Sequence, residues 1–178
     1  MKAYIFSMGE PTLQLCEWSL KRQGFETVVV HNPETTFWSK LKWVYEHADD
    51  DFLRVDADIV CNKNIKKLEP QDNCWWHQCF GWDWYAQDVL PISINWIKKE
   101  SLSYLRTNID RFENAERPES QMFRLDEFHN PRRCEVYNII GGLHGYGQKD
   151  IDRVRETKER RKQKGYDFEL ASALGTFK

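Results

Sequence analysis

The sequence has no apolar run approaching the roughly 20 residues that a membrane helix needs. Its start, MKAYIFSMGEP, holds too short an apolar segment for a secretory signal. A chain without a transmembrane segment, residing in the cytoplasm, is the expectation. Charge of one sign is missing too: 26 Lys and Arg face 28 Asp and Glu, a formal net charge of -2. Such a balance gives no global reason to expect nucleic acid as a partner. The five cysteines, Cys16, Cys61, Cys74, Cys79 and Cys134, are odd in number and form no CxxC pair. Neither a disulfide framework nor a structural zinc site is indicated, and reduced, buried thiols are expected. There is no internal repeat and no low-complexity linker. What is present is 178 residues that are 40% hydrophobic and 14% aromatic, with 8 Trp, 7 Tyr and 10 Phe. That is too much apolar surface for a disordered chain and a suitable amount for one domain.

The order of apolar patterns predicts an α/β fold with a mainly parallel central sheet flanked by helices. AYIFSM at 3 to 8 reads as a strand, and Leu13, Cys16 and Leu20 follow at helical spacing until Gly24. ETVVVHN at 26 to 32 is a β-branched run without alternation, the pattern of a strand buried on both faces. Phe37, Leu41, Val44, Tyr45 and Ala48 form one stripe of a second helix. Phe52 to Val55 then read as a third strand ending in acidic residues. Three β units joined by two helices predict right-handed parallel crossovers. Further strands are expected in NCWWHQCFGWDWY at 73 to 85, in LPISINWI at 90 to 97 and in VYNII at 136 to 140. A helix is expected from about Lys98 to Phe112, and another from Pro118 through Phe128. Residues 149 to 164 carry eight basic and four acidic side chains, so 149–178 is read as a basic, solvated helix or tail beside a domain at 1–148.

Asp56 and Asp58 sit where the third strand ends. In extended backbone, alternate side chains share a face, so both carboxylates would aim the same way, at the strand end where open α/β sheets bind ligands. Two hard oxygen donors about 7 Å apart along the chain suit Mn2+ or Mg2+ that also takes phosphate oxygens. Asp49 with Asp51 and Asp150 with Asp152 share the D-x-D spacing. The first pair precedes its strand, and the second stands at an expected helix start, where acids favour the dipole. Turn-forming Asp residues remain the alternative for the middle pair.

FLRVDADIVCNKNIKKL resembles the D-x-D segment of GT-A glycosyltransferases, whose donors are nucleotide sugars. The order of strand, SMGEP, helix, LKRQGF, VVVHN and second helix is similar to the nucleotide-binding half of that Rossmann-like fold. RPESQMF resembles the segment near acceptor and reacting carbon, often P-x-Q-D. LHGYGQK is similar to the H-x-x-G-x-x-K segment of the glycogenin and lipopolysaccharide galactosyltransferase group, with His144 and Gly147 at the family spacing and Lys149 one residue early. The resemblance implies a small, metal-dependent hexosyltransferase that moves a sugar from a nucleotide diphosphate donor, UDP by analogy, to a hydroxyl of a glycan or other acceptor. It leans towards retention of configuration.

By the same resemblance Asp56, Asp58 and His144 hold the metal, and Glu119 and Gln121 act near the anomeric centre. Ser7, His31, Asn32, Lys40, Asp56, Ala57, Gly145, Gly147 and Lys149 contact the donor. Neutral imidazole ligates Mn2+, glycines admit phosphate, and lysine supplies charge for the leaving diphosphate. Metal binding by a free imidazole would fail below about pH 6.5. Plainer readings stand beside these: a solvated Lys40, a helix N-terminus at Pro118 and Glu119, solvated Asp126 and Glu127. Trp75, Trp76, Trp82, Trp84 and Tyr85 are either a sugar-stacking platform with Asp83 as a hydroxyl partner, or in part core. Two other functions remain open. A non-catalytic carbohydrate-binding module would bind without metal. A nucleotidyltransferase of the same fold would carry a Gly-rich basic signature that SMGEPTLQL lacks.

Overall fold

The computed structural model describes residues 1–32, 34–68, 73–115, 117–122, 133–145 and 159. Its strands are β1 (Lys2–Ser7), β2 (Glu26–His31), β3 (Phe52–Asp56), β4 (Ile59–Cys61), β5 (Trp76–Asp83), β6 (Asp88–Ile97) and β7 (Arg133–His144). Its helices are α1 (Leu13–Lys21), α2 (Phe37–His47), α3 (Leu102–Asn108) and α4 (Pro118–Met122), with 3-10 turns flanking α3.

The strands form one seven-stranded sheet in the order β2-β1-β3-β6-β5-β7-β4. Pairs β1–β2, β1–β3 and β5–β7 are parallel, while β3–β6, β5–β6 and β4–β7 are antiparallel. The sheet is therefore mixed, not mainly parallel. The first three β units follow the expected crossovers, but the chain then returns as the β5–β6 hairpin, which needs only a short turn between its strands.

Period-two alternation in β1 explains the two cores. Ala3 and Ile5 face α1, packing with Cys16, Leu20, Leu53 and Val55. Tyr4 and Phe6 face the other way, onto Leu41, Val44 and Tyr45 of α2 and Leu102 and Leu105 of α3. Cys79, Ile92 and Ile94 join the first core and Trp76 and Ile97 the second, so the hairpin is built into both. Gly24 takes φ +80 just past α1, which fits a left-handed helix stop. Thr36 caps α2 by accepting from the Ser39 N–H at 3.1 Å.

Several expectations change. β2 is an edge strand, and its burial alternates instead of being complete, with Val29 on the open side. The segment after β3 contains a separate short strand, β4. The final strand is longer than VYNII and runs through Gly141, Gly142 and Leu143 to His144. Cys16, Cys61 and Cys79 are buried free thiols, but Cys74 and Cys134 are joined as a disulfide, with Cα atoms 6.0 Å apart. Sequence counting missed this pair because the two lie 60 residues apart. Among the described residues no helix is long and apolar enough to cross a membrane. Residues 123–128 of the expected helix, with Asp126 and Glu127, lie outside the described residues. So does the basic segment 149–178, apart from Glu159.

Candidate active site

The turn between β3 and β4 is held from three sides. The Ala57 N–H donates to the Phe6 carbonyl at 2.9 Å, the buried Thr12 hydroxyl donates to the Ala57 carbonyl at 3.0 Å, and the Gly145 N–H donates to the Asp58 carbonyl at 2.9 Å. The strand ends at Asp56, so Asp58 is already in the turn and strand alternation no longer aligns the two carboxylates.

Instead they take different partners. The Asp56 Oδ1 accepts from the Arg54 guanidinium at 3.0 Å. Arg54 is buried, and its guanidinium lies 5.5 Å from the Phe6 ring centre and 5.1 Å from that of Phe37. Burial alone would lower its pKa, but Asp56, Glu119 and Tyr45 outweigh that and raise it. Asp58 meets His144, with 3.0 Å between Oδ2 and Nε2. The other oxygen of Asp58, Oδ1, is buried and has no hydrogen-bond partner. A buried carboxylate oxygen left without a partner is costly, and supplying one is what a cation would do.

Two strand ladders create this contact. In β4–β7, Ile59 stands opposite His144, which sets Asp58 beside the end of β7. In β5–β7, Asp83 stands opposite His144, and its Oδ2 lies 2.9 Å from Nδ1. The imidazole is thus clamped between two carboxylates, and Tyr85 packs edge-on against it with ring centres 5.7 Å apart. Burial lowers the His144 pKa, but the hydrogen bonds and charges of Asp58 and Asp83 overcome this and push it up to about 10. Gly145 follows with φ +74, and a Cβ there would lie 2.5 Å from the Tyr85 ring. Its place in the chain is set by that backbone and that contact.

Of the other sequence candidates, Ser7 and His31 end strands that run parallel with β3 or its neighbour, while Lys40 lies on α2 and Glu119 and Gln121 on α4. Ser7, the last residue of β1, is buried, and its hydroxyl donates to Glu10 at 2.9 Å. Lys40 is not solvated: it is buried, and its ammonium donates to the Ser7 carbonyl at 2.6 Å. Burial pulls its pKa down, with nearby Glu10 opposing. His31 ends β2 and is exposed, and Asn32 accepts from the Glu34 N–H at 2.9 Å. Glu119 is half-buried on α4, close enough to Arg54 to help hold its charge, and Gln121 on the same helix is exposed. Gly147 and Lys149 lie outside the described residues. Of the aromatic cluster, Trp76 and Tyr85 are buried, Trp75 and Trp82 are half-buried, and Trp84 is exposed.

Sequence reasoning treated Asp83 as a hydroxyl partner for sugar and missed its contact with His144. Only the β5–β7 register reveals it. Among the described residues the one cluster of three His, Cys, Asp or Glu side chains mutually within 4.8 Å is Cys74, His77 and Cys134, whose two sulfurs are spent on the disulfide. Asp56 therefore does not join Asp58 and His144 at that spacing, since Arg54 holds it aside.

A mixed sheet flanked by helices, with acidic residues at the end of the third strand, defines a Rossmann-like α/β fold of the kind found in glycosyltransferases and nucleotidyltransferases. The chain is similar to a glycosyltransferase involved in the glycosylation of the major capsid of PBCV-1, with TM-score 0.59 and 13% identity over 88% of this chain and 98% of that one. It is also similar to a putative glucose-1-phosphate thymidylyltransferase from Bacillus anthracis, with TM-score 0.51 and 9% identity over 88% of this chain and 94% of that one. A third likeness is to CTP:phosphocholine cytidylyltransferase from Streptococcus pneumoniae, with TM-score 0.50 and 13% identity over 89% and 97%. No family model and no curated protein sequence matches the chain. At these identities the likeness is one of fold.

Proposed function

We propose that the chain is a metal-dependent glycosyltransferase that moves a sugar from a nucleotide diphosphate donor, UDP-linked by resemblance, to an acceptor hydroxyl. The observation that carries this reading is the meeting of Asp58 and His144 beside a buried, partnerless carboxylate oxygen just past the end of β3. The donors are of the right chemistry for Mn2+ or Mg2+, namely carboxylate oxygens and an imidazole nitrogen. Asp58 and His144 would hold the ion, joined by Asp56 once its carboxylate turns from Arg54. Such an ion would neutralise negative charge on the leaving diphosphate.

The residues of the chain do the rest. Thr12, Phe6 and Gly145 fix the backbone of the Asp56–Asp58 turn, so the chain that carries the carboxylates is in place before donor arrives. Gly145 spends its N–H on Asp58, which makes its role one of shaping the turn and not of donating to phosphate. His31 and Asn32 present polar atoms at the exposed end of β2 for a nucleobase. Lys40 sets a buried positive charge under the end of β1, where a diphosphate would approach. Glu119 and Gln121 are the polar side chains assigned to the acceptor side, and the resemblance of LHGYGQK favours retention.

The test is turnover. Incubation with a panel of UDP- and GDP-sugars should release nucleotide diphosphate slowly even without acceptor, and only with Mn2+ or Mg2+. A panel in which no donor is bound or hydrolysed would end the transferase reading. The likeness in fold to two nucleotidyltransferases supports a second reading, distinguished by its product. That activity would release pyrophosphate from a nucleoside triphosphate and a sugar or alcohol phosphate.

A further inference from the structure

We infer that Asp83 is a positioning residue for the metal site, holding the His144 ring in the tautomer whose Nε2, beside Asp58, is free to ligate an ion. The inference rests on the metal-dependent reading above and assigns a role to a residue that reading does not use.

Asp83 divides its two oxygens between separate tasks. Oδ1 accepts from the backbone N–H groups of Tyr85 and Ala86, both at 2.9 Å, and so caps the turn of the β5–β6 hairpin. Oδ2 lies 2.9 Å from His144 Nδ1. Asp83 is 1% exposed, so water does not compete for these contacts. Without an ion a carboxylate faces each ring nitrogen; once Asp58 turns its oxygen to an ion, Asp83 is the acceptor that remains, and a carboxylate only accepts, so the ring keeps its proton on Nδ1. That leaves the lone pair on Nε2, the nitrogen that faces Asp58 at 3.0 Å. A carboxylate behind a ligating histidine orients the ring, fixes its tautomer and raises its basicity. The parallel ladder that sets Asp83 opposite His144 supplies the rigidity, because both residues end strands of one sheet.

The same division of labour makes an isosteric test unusually clear. In Asp83→Asn the Tyr85 and Ala86 N–H groups still need an acceptor, so the amide oxygen stays towards them. Its NH2 then faces His144 and donates to Nδ1. The ring proton must move to Nε2, where it blocks the ion, while the hairpin cap survives.

Mn2+ titrated into the protein, alone and with UDP present, and followed by loss of the free-ion electron paramagnetic resonance signal, reads this directly. Asp83→Asn should weaken Mn2+ binding by about 10- to 100-fold while the amide NMR spectrum stays dispersed as in the parent. Asp50→Asn removes one carboxylate charge from an exposed position before β3, at the other end of that strand from Asp58, and should leave affinity within about twofold, since charge beyond a Debye length is screened. Wild-type binding with an equally tight, folded Asp83→Asn would overturn the positioning role alone. No Mn2+ binding by the wild type, with or without UDP, would overturn the metal reading and this inference with it. A second measurement needs no variant: nitrogen-15 spectra of the Zn2+-loaded wild type should show His144 protonated at Nδ1 and coordinated through Nε2. The reverse pattern would refute the assignment.

Discussion

The two halves of the sheet differ in how they are made. From β1 to β3 the chain alternates strand and helix, and each strand meets its neighbour after a crossover. From β5 to β7 it pairs through a hairpin and one long strand whose register shifts against β5 between Cys79 and Phe80. The first half brings Asp56 to the end of a buried interior strand and Asp58 into the turn that follows it. The second half supplies Asp83 and His144, whose meeting depends on pairing register. A site built across both halves requires that they fold as one body, and their shared cores make that testable.

The largest effect should come from Trp76→Ala in the second half. Trp76 is fully buried and its indole N–H donates to Asn95 at 2.7 Å. The loss should be about 3–5 kcal/mol, and Leu53→Ala in β3, also fully buried, should cost about 2–5 kcal/mol. Denaturant unfolding should show a single transition in both variants. Two transitions would break the comparison by making the hairpin half a separate unit.

Gly145→Ala should follow, at about 1–3 kcal/mol, because the added methyl meets the Tyr85 ring and the backbone has positive φ. It should also weaken Mn2+ binding, since Tyr85 packs on His144. Thermal unfolding and Mn2+ titration check the two effects together.

The clamp on His144 gives a pH dependence with a definite sign. Its pKa rises from 6.5 to about 10, so its contribution to the stability of the ion-free protein is full below pH 6.5. That contribution is lost as pH climbs towards 10. Asp58→Asn should flatten this part of the curve when unfolding is measured between pH 6.5 and 10. The ion must also displace the imidazolium proton, so apparent Mn2+ affinity should rise by up to about tenfold per pH unit in that range. The edge therefore lies above the pH 6.5 expected of a free imidazole.

The smallest effect should be Trp18→Ala. Its ring is on the surface of α1, with Arg22 at 4.7 Å, and removal should cost less than about 1 kcal/mol in the same unfolding assay.

The difference between the halves also explains what was legible. Helical stripes in α1 and α2 and the apolar approach to Asp56 are local patterns, and the sequence displays them. The burial of β2 was overestimated because ETVVVH has the composition of an interior strand while its place in the sheet is an edge. β4 was missed since three residues after a turn carry no periodicity. Asp83 was read as a surface hydroxyl partner among tryptophans, and the Cys74–Cys134 bond was not expected. Both depend on which residues stand opposite each other in β5 and β7, and register is a property of two segments, not of one. His144 was found by its resemblance to a known segment and Asp58 by its place after a buried strand, while the carboxylate on the other side of the ring, Asp83, came only from the fold.

The most direct test of the central claim is calorimetry of UDP binding with and without Mn2+, in the wild type and in Asp58→Asn. The account predicts that Mn2+ strengthens UDP binding to the wild type and that the folded variant loses this increment, because the ion has lost a carboxylate. An Asp58→Asn protein that keeps the full Mn2+-dependent gain would contradict it.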